Sequence, residues 1–400
     1  MDVYLLDWLN LLLRWAHVIT AVAWIGASFH FVALDNSLTP PSDPGERDKG
    51  IGGELWAVHG GGFYHQQKYP VSPRTLPERL HWSMWESYST WLTGFALFTV
   101  LYLFNASTFL IDRTVHDWSP AAAVATALGM LAGFWVAYDL ICRLFGQRPH
   151  GDRVVGALVF VLVVAATWLS CQLFAGRAAY LLVGAMLATT MSGNVFFWII
   201  PGQRKVVAAL RAGQPVDPVH GRRGKQRSVH NTFFTLPVLI AMLSNHFGFL
   251  HASPHNWLWL VLVMLAGALI RLSFVLRHKA LAFGQPVPWR WALLGVALLG
   301  GVVAGMAPRP ASPPAAGAAP AATWPEVQAV LGQRCLACHN AALANKGVAL
   351  DDAASVARHA LQVHQQVVVL RQMPLNNATG MTDAERDLLK RWFEAGAPTR

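Results

Sequence analysis

The sequence predicts an all-α protein in two parts. Residues 1–307 read as a transmembrane helical bundle with eight spans, and residues 324–400 as a small, more polar α-helical domain. Three observations predict this. Hydrophobic residues make up 54% of the 400-residue chain and charged residues only 13%, with 17 tryptophans; so apolar a composition suits a polytopic membrane protein and not one soluble core. Eight apolar runs are long enough to cross a bilayer, which takes about 20 helical residues. A Pro/Ala-rich stretch, PRPASPPAAGAAPAAT at 308–323, then separates them from the rest.

The runs cover 8–34, 82–104, 121–142, 154–174, 179–200, 231–249, 257–276 and 288–307. Their connections divide sharply by charge. The odd-numbered ones (35–80, 143–153, 201–230, 277–290) hold 18 Lys and Arg, the even-numbered ones 2. Basic residues stay on the cytoplasmic side, so the odd connections are expected inside and both termini outside, in a bacterial inner membrane. The net charge of +10 is thus a topology signal, and so is the run GRRGKQRS at 221–228; no nucleic-acid partner is implied. The N-terminus, MDVYLLDWLN, lacks the basic start of a signal peptide, so the first run is expected to be a retained helix. Cys142 and Cys171 lie in apolar runs and read as buried thiols, without a disulfide framework. The linker is expected to be extended, with about 15 residues reaching roughly 45 Å.

The last domain carries RCLACHN at 334–340. Its C-x-x-C-H spacing is that of a covalent c-type haem attachment: Cys335 and Cys338 would form the thioether bonds and His339 would ligate the iron. The second axial ligand must come from further along. Met373, in RQMPLNNATGMT, is the first choice, because a thioether opposite histidine raises the haem potential; Met381, His359 and His364 compete. Helices are expected around 324–334, within 351–369 and over MTDAERDLLKRWFEAGA. Thr382 and Glu385 form a capping box for the last, and Leu388, Leu389, Trp392 and Phe393 form its apolar stripe. This is the pattern of a small cytochrome c domain, and the outer side is where bacterial cells attach such haems.

Ionisable residues inside membrane spans are functional candidates by default. His17, with Arg14 one turn away, and His246 fall in the outer half of the bundle. His30, His81 and His230 fall near the inner surface, and Glu86 follows His81. Histidines paired on facing helices would hold a b-type haem or form a relay; the alternative is hydrogen bonding to neighbouring helices. Asp139 and Asn194 read as polar contacts between helices. The first connection is 46 residues long, and its centre, WAVHGGGFYHQQKYP, suits a pocket, a lid or an ordered cap.

Four segments carry a resemblance: RWAHVITAVAWIGASFHF, GGFYHQQKYPVSPRTLPERLHWSMWESYSTWLTG, SGNVFFWIIPGQRK and RSVHNTFFTLPVLIAMLSNHF. Over nearly its whole length the chain resembles the membrane-bound, cytochrome-c-linked urate oxidases (urate hydroxylases) of bacteria. The resemblance implies oxidation of urate to 5-hydroxyisourate, the first step of urate degradation. Water would supply the oxygen, and electrons would leave through haem c without forming hydrogen peroxide. It implies Cys335, Cys338, His339 and Met373 as the haem residues, and a respiratory acceptor, such as a terminal oxidase or a soluble cytochrome, as partner. The membrane part is also distantly similar to copper-transport membrane proteins and to a haem-dependent protoporphyrinogen oxidase, which favours a haem b there. No urate-binding residues carry over from the family. On the residues alone, His65, Gln66, Gln67 and Lys68 are candidates for holding urate at the cytoplasmic end, and His81 or Glu86 for taking its proton; the outer segment 244–255 is the alternative location. A different class of function is a quinol-oxidising or electron-transfer cytochrome subunit of a respiratory chain. A transporter with a redox-sensing tail is weaker, for no broken-helix pair is visible.

Overall fold

The computed structural model describes residues 3–70, 72–73, 75–253, 255–307 and 322–400. Most of the linker, 308–321, lies outside the described residues. Each of the eight apolar runs coincides with a helix. They are α1 (Val3–Ser37), α2 (Trp85–Phe98), α3 (Pro120–Phe145), α4 (Gly151–Leu173), α5 (Gly176–Gly193) with its continuation α6 (Ile200–Arg211), α7 (Pro218–Leu243), α8 (Asn256–Ala282) and α9 (Arg290–Gly305). Five helical stretches among the described residues are long and apolar enough to cross a membrane: Tyr4–Ser37, Pro120–Phe145, Gly151–Leu173, Gly176–Arg211 and Asn256–Ala282. The remaining three are shorter or more polar. Helix α9 has 16 residues, α2 has 14 before a π-helical turn at Thr99–Leu103, and α7 begins with the basic segment PVHGRRGKQR.

Local chemistry sets the starts. Ser119 accepts a hydrogen bond from the Ala122 amide ahead of α3, and Asp217 accepts one from Val219 ahead of α7. In both helices the next residue is proline, whose missing N–H costs nothing in a first turn. Helix α5 lies at the centre: Tyr180, Leu182, Met186 and Leu187 on it are fully buried, with Tyr138 of α3 and Phe174 beside them. Apolar side chains such as Trp8, Leu11, Trp15 and Val22 are exposed on the outer surface of α1, as a lipid-facing helix requires.

The first connection departs from the all-α expectation. Strands β1 (Gly53–His59) and β2 (Gly62–Lys68) form an antiparallel hairpin, with Trp56 opposite His65. Gly60 and Gly61 make its two-residue turn with φ of +58° and +80°, conformations that glycine adopts without strain and that match the twist of a hairpin.

Helices α10 (Trp324–Arg334), α11 (Ala353–Val363) and α12 (Asp383–Glu394) build the last domain around its own core of Val327, Leu331, Val356, Leu389 and Trp392. The predicted capping box is present: the Glu385 amide donates to the Thr382 hydroxyl at 3.2 Å and the Thr382 amide to the Glu385 carboxylate at 2.6 Å. This domain rests on the end of the bundle formed by the connections poor in Lys and Arg. Asn376 Nδ2 donates to the carbonyl of Thr108 at 2.7 Å, and Gly248 lies directly beside the Gln372 side chain.

Candidate functional site

The C-x-x-C-H segment follows directly from α10. Cys335 is buried and Cys338 exposed. The amide of His339 donates to the Cys335 carbonyl at 2.9 Å, and its ring Nδ1 donates to the carbonyl of Val348 at 3.1 Å. A carbonyl can only accept, so the second bond fixes the tautomer and leaves the Nε2 lone pair free for a metal, as in oriented histidine ligands. The loop bearing Met373 is held at both ends of that residue. Its amide donates to Gln366 O at 3.1 Å, and its carbonyl accepts from the guanidinium of Arg386, a buried residue, at 2.9 Å. Of the competing residues, His359 Nδ1 donates to Ser355 O within its own helix, His364 stacks on Phe393, and Met381 is buried in the core. Two thiols, an oriented imidazole and a thioether on a fixed loop are donors of the chemistry that a covalently attached haem requires.

In the bundle, the histidines have different local settings. His17 packs its ring against Gly94 of α2, with Nδ1 donating to the Thr90 carbonyl at 3.1 Å and 3.2 Å from Thr93 Oγ1; its Nε2 is thereby left as the acceptor. His230 lies 2.7 Å through Nδ1 from the Tyr138 hydroxyl. His30 and His81 are exposed, and His246 is exposed on a single 3-10 turn after α7. Glu86 sits in the first turn of α2. Among the described residues no group of three or more His, Cys, Asp and Glu is arranged to hold a metal ion.

Asp139 and Asn194, expected to bind helices together, anchor a larger network. Asp139 accepts from Arg143 at 2.6 Å, Arg227 at 2.7 Å and Trp198 Nε1 at 2.8 Å. Asn194 accepts from Arg227 at 3.0 Å and donates to Tyr138 and to Asn231. The guanidinium of Arg227 also lies over the Trp198 ring at 4.3 Å. Asn194 opens the π-helical turn Asn194–Ile199, a type of defect often found at functional sites. Arg227 was not singled out from the sequence, although it stands at the edge of an apolar run; the same is true of Arg271 inside one.

The hairpin does not gather its four candidates into one site. Residues 65 and 67 point to one face, 66 and 68 to the other. His65 stacks on Trp56 at 4.1 Å and bonds the Glu54 carboxylate at 2.8 Å, Gln67 donates to Glu46, and Lys68 pairs with Asp35 at 2.7 Å. The Ser42 amide and the His65 ring hold the Glu54 carboxyl below its ordinary range. At the opposite end, the Asn245 side chain accepts from Arg177 at 3.1 Å and from Tyr102 at 3.4 Å. Nearby, burial and then the Arg177 charge lower His251 to about 4.

Residues 3–307 match the model of the urate oxidase N-terminal family. Among curated proteins, and among solved structures, nothing matches. The match spans the bundle with its hairpin and stops before the C-x-x-C-H domain. The chain belongs to the urate oxidase N-terminal family and is an oxidoreductase acting on urate.

Proposed function

We propose that this is an eight-span enzyme of the bacterial inner membrane that oxidises urate to 5-hydroxyisourate and passes the electrons to its own C-terminal haem c. Urate and one water give 5-hydroxyisourate, two protons and two electrons, and a one-electron haem acceptor takes the electrons without forming peroxide. The observation that carries the reading is the contact of the Met373 loop with the bundle, through Asn376 and Thr108 at 2.7 Å and through Gln372 beside Gly248. It brings the edge of the C-x-x-C-H domain against the domain that belongs to the urate oxidase family. A bound haem supplies a one-electron acceptor of raised potential. Cys335 and Cys338 would tether it, and His339 through Nε2 and Met373 would ligate its iron, with Arg386 steadying the Met373 loop. Within the bundle, His17 has the oriented ring and free Nε2 of a ligand to a haem b. Physical tethering keeps the acceptor at high effective concentration.

The test is anaerobic. Membranes containing the protein are mixed with urate and haem absorbance is followed, with Cys335→Ala as control. Urate-dependent reduction of a c-type band, lost in the variant, is expected. A b-type band that still reduces in the variant would add the membrane relay.

One observation favours a second reading. An aromatic groove of about 560 Å³ on the bundle surface, lined by Trp85, Tyr88, Trp91, Phe95, Trp135 and Phe196, suits a flat, lipid-soluble quinol. Reduction of the haem by quinol but not by urate would make the chain a respiratory electron-transfer subunit.

A further inference from the structure

Arg271 lies in α8, eleven residues before Ala282 and so about 16 Å from that end of the helix. It is only 6% exposed, yet its Nε and Nη2 have no hydrogen-bond partner among the described residues. Other buried arginines are compensated: Arg227 has Asp139, and Arg386 has the carbonyls of Val367 and Met373. Arg271 instead lies over the ring of Phe29 on α1 at 3.8 Å. One turn away on α8, Gly267 packs against Leu236 of α7. The guanidinium therefore sits where α1, α7 and α8 meet.

A charge kept in a membrane interior without a counter-ion is expensive, and such residues mark ligand or ion sites. Phe29 covers one face of the guanidinium, while Nε and Nη2 are enclosed and without a hydrogen-bond partner among the described residues. The Nε–Nη2 edge is the rigid fork that matches two adjacent acceptors on a planar anion.

We propose that Arg271 anchors the urate anion, holding two neighbouring acceptor atoms of the purine edge on Nε and Nη2 between α1, α7 and α8. The identity of the anion rests on the urate reading above; a haem propionate offers the same pair of acceptors and is the competing source. Arg271 binds and orients the substrate, and the fork fixes which edge of the ring is turned away toward the reacting carbon.

The experiment uses the full chain, purified with its haem, as Arg271→Gln and Arg271→Lys. Haem c reduction is followed anaerobically against urate concentration, together with b-type haem content and the melting temperature without urate. Loss of a charge-assisted pair of hydrogen bonds should raise the KM of Arg271→Gln about ten- to a hundredfold. Arg271→Lys, which keeps the charge but not the fork, should fall between it and the parent. Haem b content should not change, and the urate-free melting temperature should hold or rise, because a buried unpaired charge is gone. An unchanged KM with normal haem reduction overturns the proposal and leaves the urate reading standing. Loss of b-type haem with an unchanged KM assigns Arg271 to a propionate. A parent protein that ignores urate overturns both.

Discussion

Asp139 accepts three hydrogen bonds from Arg143, Arg227 and Trp198 while almost wholly buried. Replacing it with Asn removes the negative charge that offsets Arg227, itself 2% exposed. Breaking a buried pair from one side typically costs about 3–5 kcal/mol, and Asp139→Asn should lower stability in detergent by that order. Arg227→Gln in the same background should then cost less than it does alone, since the stranded charge is removed with it; strictly additive losses would show that the two do not act as a pair. His251 supplies the pH dependence at this scale. Folded, it is held at about 4 by burial and by Arg177, against an ordinary 6.5. Above 6.5 neither state is protonated and stability is unaffected. As pH falls from 6.5 toward 4 the unfolded chain takes up a proton that the native chain refuses, so stability declines by about 3 kcal/mol across that window. Unfolding midpoints measured from pH 7 to pH 4 should show this slope, and His251→Gln should flatten it.

At the scale of elements, small residues decide how closely helices approach. A Cβ on Gly94 of α2 would fall 2.7 Å from the His17 ring, so any side chain there must push α1 from α2 or turn the imidazole. Gly94→Val should destabilise by about 1–3 kcal/mol through overpacking. If His17 ligates a haem b, the variant should also lose b-type absorbance while keeping its c-type band. Retention of full b-type absorbance would separate His17 from any haem. Gly193 performs the same service at the end of α5, where its Cα faces the Trp135 indole. The hairpin is held differently, by Trp56 stacked on His65 and by the ion pair tying Lys68 to Asp35 at the end of α1. With His65, Gln67 and Lys68 each committed to a local partner, it has the character of a cap on the bundle.

For the whole molecule, the contact between its two parts is the feature that function would depend on. The C-x-x-C-H domain touches the bundle through polar side chains, Asn376 on Thr108 and Gln372 beside Gly248. Gly248→Trp fills the space that Gln372 occupies. It should slow urate-dependent reduction of haem c and leave reduction by a small soluble reductant unchanged. Stopped-flow traces with both donors decide this; equal slowing by both would mean that the last domain itself has been damaged.

Much of this protein is legible in its residues because the deciding chemistry is local. The apolar runs dictate where helices form, and the helices at the eight positions follow them. Basic residues at alternate connections set one end of the bundle apart from the other. Cys335, Cys338 and His339 fall within five consecutive residues, and the Thr382–Glu385 capping box spans a single turn. The hairpin has its signal in Gly60 and Gly61, but a long connection that reads as a pocket, lid or cap assigns no strand pairing. Other features depend on residues that no spacing relates. Arg227 meets Asp139 across 88 positions, and Arg271 meets Phe29 from another helix altogether. In sequence they are merely charges near or inside apolar runs. Whether such a charge is paired or left open to a ligand is set by which helices become neighbours, because in a low-dielectric interior an ion's meaning lies in what lies within about 4 Å of it. The sequence by itself determined the apolar helices and the haem-type motif; only the tertiary structure decided that Arg227 is neutralised and that Arg271 is not.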